Sequence, residues 1–196
     1  MTAAGDERFV HRLEAFSDIV IGFSLAQLGA TLVIPPHPQT LLANPGWLFG
    51  FLWTFALVCS MWWNHNRVFR VPFHPTAPVL IANFVLLASI VLLVYFAEVF
   101  ARSATPPDAM LAARWYFGML AVTYVMTAWL SQTAHGWVRG TAVNGVSGLF
   151  QLLVVAVASF VPDDVAAMTA MACAVPIGFA LGRVAGRRFR TAVAGT

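Results

Sequence analysis

The chain contains no lysine. All eleven of its basic residues are arginine, set against eight acidic residues in 196, so the net charge of +3 comes entirely from guanidinium groups. Lysine Schiff-base chemistry is thereby excluded. Charge of either sign is scarce, at 10% of residues, while 60% are hydrophobic and the mean hydropathy is +0.78. A soluble domain of this length carries far more charge, so the composition is that of an integral membrane protein. Cysteine is equally sparse. Cys59 and Cys173 both lie inside apolar stretches, with no CxxC and no zinc-type spacing, and read as small buried hydrophobes. No metal site and no cofactor are expected. The arginines flank apolar spans, which makes the membrane surface, not nucleic acid, their partner.

What is present is a series of long apolar runs, each near the roughly 20 residues that a bilayer-crossing helix needs. Punctuation cuts them into six spans at about 9–34, 46–69, 76–102, 108–132, 140–161 and 164–186, forming a single six-helix transmembrane domain over 1–196. Prolines at Pro35 and Pro36 stop the first span by removing amide donors, and Pro106, Pro107 and Asp108 suit a helix start. The residues before the first run carry Asp6, Glu7, Glu14 and Asp18 and no A-x-A site precedes the prolines, so a cleaved signal peptide is not expected. Six spans put both termini on one side. Nine arginines (Arg8, Arg12, Arg67, Arg70, Arg139, Arg183, Arg187, Arg188, Arg190) fall on that side and two (Arg102, Arg114) on the other. Positive charge concentrates in the cytoplasm, so both termini are expected there, in a multi-pass protein of the cell inner (plasma) membrane.

The stretch RLEAFSD, residues 12–18, presses Glu14 and Asp18 against the mouth of the first span. Four apart on a helix, the two carboxylates repel and need partners from elsewhere. His11 lies three residues before Glu14. WWNHNRVFR, residues 62–70, ends the second span at the same level, and His65 and Arg67 are expected to reach Asp18, with Ser17, Asn64 and Trp62 or Trp63 as further donors. Asn83, about two turns into the third span, supplies a third helix. Two readings stand: a structural clasp tying three helices together, and a proton relay or ion site.

Arg12, Phe16, Ser17 and Asp18 form an R-x-x-x-F-S-D arrangement that resembles the first-helix signature of the transmembrane protein 175 family of lysosomal and prokaryotic potassium channels. Trp62, His65, Arg67 and Phe69 resemble that family's second-helix pattern, and Asn83 falls where its third helix has an asparagine. The resemblance implies a homotetramer of six-helix subunits around a central pore lined by the first helix. It also implies that the R-x-x-x-F-S-D residues form an inter-helix polar network, with potassium as the permeant ion.

By helical periodicity Val20, Phe23, Gln27, Ala30, Thr31 and Ile34 fall on one side of the first span. Gln27 needs either a water-filled pore or an interhelical hydrogen bond, and both readings stay open. Similar prokaryotic channels carry aliphatic residues where this chain has Phe23, Gln27 and Ala30, and a threonine where it has Ala26. A phenylalanine ring still suits a constriction that gates by dewetting, and no TVGYG-type filter is present. Small residues recur every fourth position at Gly22, Ala26 and Ala30 and again at Gly178, Gly182 and Gly186, which permits close helix approach within or between subunits. Arg183, Arg187, Arg188 and Arg190 suit an anionic-lipid contact. Glu98 and Arg102 read as an i,i+4 ion pair, and Asp163 and Asp164 as helix caps. A potassium-permeable cation channel is the first expectation. A proton-coupled or small-solute transporter and a non-conducting structural homologue are the alternatives. No nucleophile with a base is present, so an enzyme is not expected.

Overall fold

In the computed structural model, which describes residues 3–30 and 45–194, these residues form six α-helices. They are α1 (Ala3–Ala30), α2 (Pro45–Phe69), α3 (Ala77–Arg102), α4 (Pro106–His135), α5 (Arg139–Ala158) and α6 (Asp164–Ala194). Five of them, all but α2, are long and apolar enough to cross a membrane. At 25 residues α2 has the length, but it closes on the polar run Asn64, His65, Asn66 and Arg67. The fold is an all-helical, multi-pass bundle.

Boundaries follow local chemistry. Helix α4 starts where Thr105 Oγ1 donates to Asp108 Oδ2 at 2.6 Å and accepts from the Asp108 amide at 3.4 Å, with proline at its first positions. It ends at Gly136, whose φ of 75° a residue with a β-carbon rarely adopts. Helix α5 stops at Ala158, short of the expected 161, because Pro162 disfavours helical geometry in the residue before it. Asp163 Oδ1 caps α6, accepting from the amides of Val165 at 2.9 Å and Ala166 at 3.1 Å. Helix α6 runs past the expected 186 to Ala194, since nothing in its arginine-rich end breaks a helix. Helix α1 begins at Ala3, six residues before the expected start at 9. Its expected continuation to 34 lies outside the described residues.

The most extensive packing joins α3 to α4, α5 to α6 and α4 to α5, whereas α1 rests on α2 and α3 alone. Helix α3 is central, burying Val79, Ala82, Asn83, Leu86, Ile90, Leu93 and Val94 at helical spacing. Apolar burial supplies little association energy between helices already in lipid, so close backbone approach and hydrogen bonds must hold the bundle. Glycines provide that approach between α5 and α6: a β-carbon on Gly178 would come 3.2 Å from the Ser147 carbonyl oxygen, and one on Gly182 would collide with the Val143 carbonyl. Ser147 Oγ also reaches the Gly178 carbonyl at 3.0 Å. The glycine ridge of α6 is thus internal packing. On α1, by contrast, nothing lies within 4 Å of a β-carbon placed on Gly22. Cys173, expected inside, is exposed on the outer side of α6.

Candidate functional site

Along α1 a buried stripe of Leu13, Ser17, Ile21, Ser24 and Leu28 recurs at three- and four-residue steps and faces α2 and α3. At its base the three helices meet in a polar node. Asn83 Nδ2 donates to Ser17 Oγ at 3.1 Å, and His65 Nε2 lies 2.8 Å from Asn83 Oδ1. With the amide oriented by its bond to Ser17, Asn83 Oδ1 must accept, so His65 carries its proton on Nε2. Ser17 in turn donates to the Leu13 carbonyl at 2.8 Å. All three side chains have 0% exposure, so the chain Ser17, Asn83, His65 joins α1, α3 and α2 away from solvent and lipid. His65 stacks on Phe69 with centroids 4.5 Å apart.

A second layer surrounds the node. Trp62 Nε1 donates to Asp18 Oδ1 at 2.8 Å, and Phe16 meets Phe84 edge-on at 6.1 Å. The expected pairing of Asp18 with His65 or Arg67 is not formed. His65 sits on the inward face of α2 with Met61, Val68 and Phe69, one turn either side, so it reaches α3; Trp62, about 60° round the helix from it, faces Asp18. Arg67, two positions beyond His65, points outward. Arg12 is also exposed, and among the described residues neither arginine makes an ion pair. Glu14 takes the expected His11 contact, at 3.8 Å, and Asp6 meets His74 at 3.3 Å.

Opposite the buried stripe, Ile19, Phe23, Ala26 and Ala30 meet no other helix among the described residues and are exposed, Phe23 the most at 73%, as is Phe16 beyond its ring contact with Phe84. Of the six residues expected to share a face, Phe23, Gln27 and Ala30 are exposed, whereas Val20 is half-buried against the core. Thr31 and Ile34 lie outside the described residues. Ile19 was missed by the periodicity argument, although it falls one turn before Phe23. Gln27 was assigned neither role by sequence; its Nε2 donates at 3.3 Å to Glu98 Oε2 on α3, while Glu98 Oε1 binds Arg102 at 2.7 Å. One polar contact thereby tethers the far half of α1. Because it is exposed, Gln27→Leu is expected to lower stability in detergent by only about 0.6 kcal/mol, the average interhelical hydrogen bond in a membrane. A loss above about 2 kcal/mol in equilibrium unfolding contradicts a simple tether.

These features define a multi-pass helical membrane protein whose first helix is fixed along one face and bare along the other. Residues 12–93 match the family described as endosomal/lysosomal potassium channel TMEM175. The chain is also similar to a protein named as a potassium channel from Chamaesiphon minutus (strain ATCC 27169 / PCC 6605), with 28% identity over 134 residues. That match covers 64% of this chain and 66% of the relative, leaving about a third of each outside it. No solved structure matches. Over residues 12–93 the chain is thus similar to the TMEM175 family. The matched segment holds all of the polar node and the bare face of α1.

Proposed function

We propose that the chain is a potassium channel in which four copies surround a central pore lined by the bare face of α1. The observation that carries this reading is the one-sided packing of α1. A helix rich in exposed phenylalanine and isoleucine, locked at its base by a buried three-helix node, is poised to line a shared axis once copies assemble. The family and the potassium channel to which the chain is similar supply the ion. In this arrangement all six helices cross the membrane, both termini are cytoplasmic as the nine-to-two arginine bias requires, and the protein resides in the cell inner membrane. Phe23 forms a hydrophobic constriction, flanked by Ile19 and Ala30. Selection then works through the width and wetting of this constriction, since the chain has no TVGYG-type filter. The node acts as a structural clasp.

A solute transporter has less support. A cavity of about 600 Å³ between α1, α2, α3, α4 and α6 is almost wholly apolar, lined by residues such as Phe49, Trp53, Phe117 and Met168. Its hydroxyls, on Thr54 and Tyr116, are 3.1 Å apart and bond each other, which leaves a polar solute no matched pair of groups.

Purified protein in a planar bilayer, with potassium on one side and sodium on the other, tests the reading. The reversal potential is expected to move toward the potassium equilibrium value, and Phe23→Ala is expected to raise conductance severalfold by widening and wetting the constriction. Reversal near zero removes potassium selectivity, and silence from an assembled tetramer removes conduction. Unchanged currents in Phe23→Ala remove Phe23 from the pore.

A further inference from the structure

Helix α5 begins with Arg139, and α6 carries Arg183 and Arg187 toward its C-terminal end. Arg139, Arg183 and Arg187 are exposed, and among the described residues none makes an ion pair. Four of the eight acids lie on α1, which packs on neither α5 nor α6, and the other four (Glu98, Asp108, Asp163, Asp164) lie at the opposite end. The geometry here is built, not merely basic. A β-carbon on Gly186 would come 3.0 Å from Arg139 Cγ and 3.4 Å from its Nε, so the missing side chain of Gly186 lets Arg139 lie across α6. There it joins Arg183 and Arg187, which stand a turn apart on that helix. The Arg183 guanidinium sits 4.5 Å from the Phe179 ring, holding its charge beside an apolar surface. Trp137, two residues before Arg139, is 65% exposed at the same level, where an amphipathic ring suits the headgroup layer.

We propose that Arg139, Arg183 and Arg187 form a binding site for the phosphodiester headgroup of an anionic phospholipid. Guanidiniums gathered at one corner of the bundle, with no ion pair among the described residues, repel one another, and a bound phosphate relieves that repulsion. Arginine forks match phosphate oxygens two at a time, which makes the site selective for geometry as well as charge. Trp137 and Phe179 face the interfacial and acyl parts of the same lipid. The site lies outside the segment that matches the family and stands independently of ion conduction.

The test uses the full-length protein in detergent, titrated with phosphatidylglycerol or phosphatidylcholine brominated on the acyl chains, reading quenching of tryptophan fluorescence. The part lost in Trp137→Phe isolates the signal at this corner. Phosphatidylglycerol is expected to quench Trp137 at a severalfold lower mole fraction than phosphatidylcholine. Arg139→Gln and Arg183→Gln are each expected to weaken that preference about fivefold, the equivalent of about 1 kcal/mol per arginine near a membrane surface. Arg139→Lys keeps the charge and loses the fork, so a severalfold weakening in that variant supports a built site, with an unchanged elution profile showing that the fold survives. Equal quenching by the two lipids overturns the proposal, and so does an Arg139→Lys variant indistinguishable from the parent, which would mean diffuse attraction. Displacement of phosphatidylglycerol by millimolar inorganic phosphate at constant ionic strength overturns it in favour of a free phosphate site.

Discussion

Asn83→Leu is expected to destabilise the subunit by about 2–4 kcal/mol, measured as equilibrium unfolding in mixed micelles. Asn83 alone supplies both an acceptor for His65 Nε2 and a donor to Ser17 Oγ. Leucine matches its volume closely, so the loss reports hydrogen bonding and not a cavity. Membrane hydrogen bonds average only about 0.6 kcal/mol when both partners can find substitutes. His65 cannot: at 0% exposure it has no water or lipid headgroup to turn to, and its Nδ1 already lacks a partner. Ser17→Ala leaves the bond between His65 and Asn83 in place, so it is expected to cost less than half as much. Because the node fixes the base of α1, Asn83→Leu is also expected to scatter single-channel conductance levels. Stability within about 0.5 kcal/mol of the parent would show that the node does not clasp the helices.

Gly182→Leu is expected to cost at least about 3 kcal/mol and to abolish a homogeneous elution peak, the upper end of what overpacking produces. The collision is with the Ser147 hydroxyl and, more severely, with the Val143 carbonyl, a helical backbone group that cannot rotate aside, so α5 and α6 must separate. Separation also removes the bond from Ser147 to the Gly178 carbonyl. Gly22→Ala makes the matched control. With nothing within 4 Å, it is expected to leave the isolated subunit unchanged or more stable by up to about 1 kcal/mol, from helix propensity. If Gly22→Ala nevertheless abolishes chemical cross-linking of the proposed tetramer, the small ridge of α1 meets another copy. Equal behaviour of the two glycine variants would contradict the assignment of the ridges to different partners.

Much was legible in the sequence because lipid restricts what a chain can do. Every backbone amide must be satisfied within a helix, so apolar runs and proline punctuation suffice to locate the elements. The place of Asp108 at a helix start, the capping role of Asp163, the His11–Glu14 contact and the Glu98–Arg102 pair were readable too, being set by spacing along one helix. Of the motif residues, Ser17, Asn83 and His65 hydrogen-bond in series, and Trp62 bonds Asp18 beside them. Which of them touches which was not readable. Trp62, His65 and Arg67 lie within six residues, and only the rotation of α2 against α1 and α3 decides that Trp62 takes Asp18, His65 takes Asn83 and Arg67 is left outside. The same holds for Gln27, whose role turned on Glu98, 71 residues away, and for Val20, turned inward by a modest rotation of α1. Sequence alone therefore determined the six helices of the described residues and the residues that needed partners, because those follow from one-dimensional periodicity and the cost of polar groups in lipid. Tertiary structure decided the pairings and the bare face of α1, because rotation and contact between helices depend on side chains far apart in the chain.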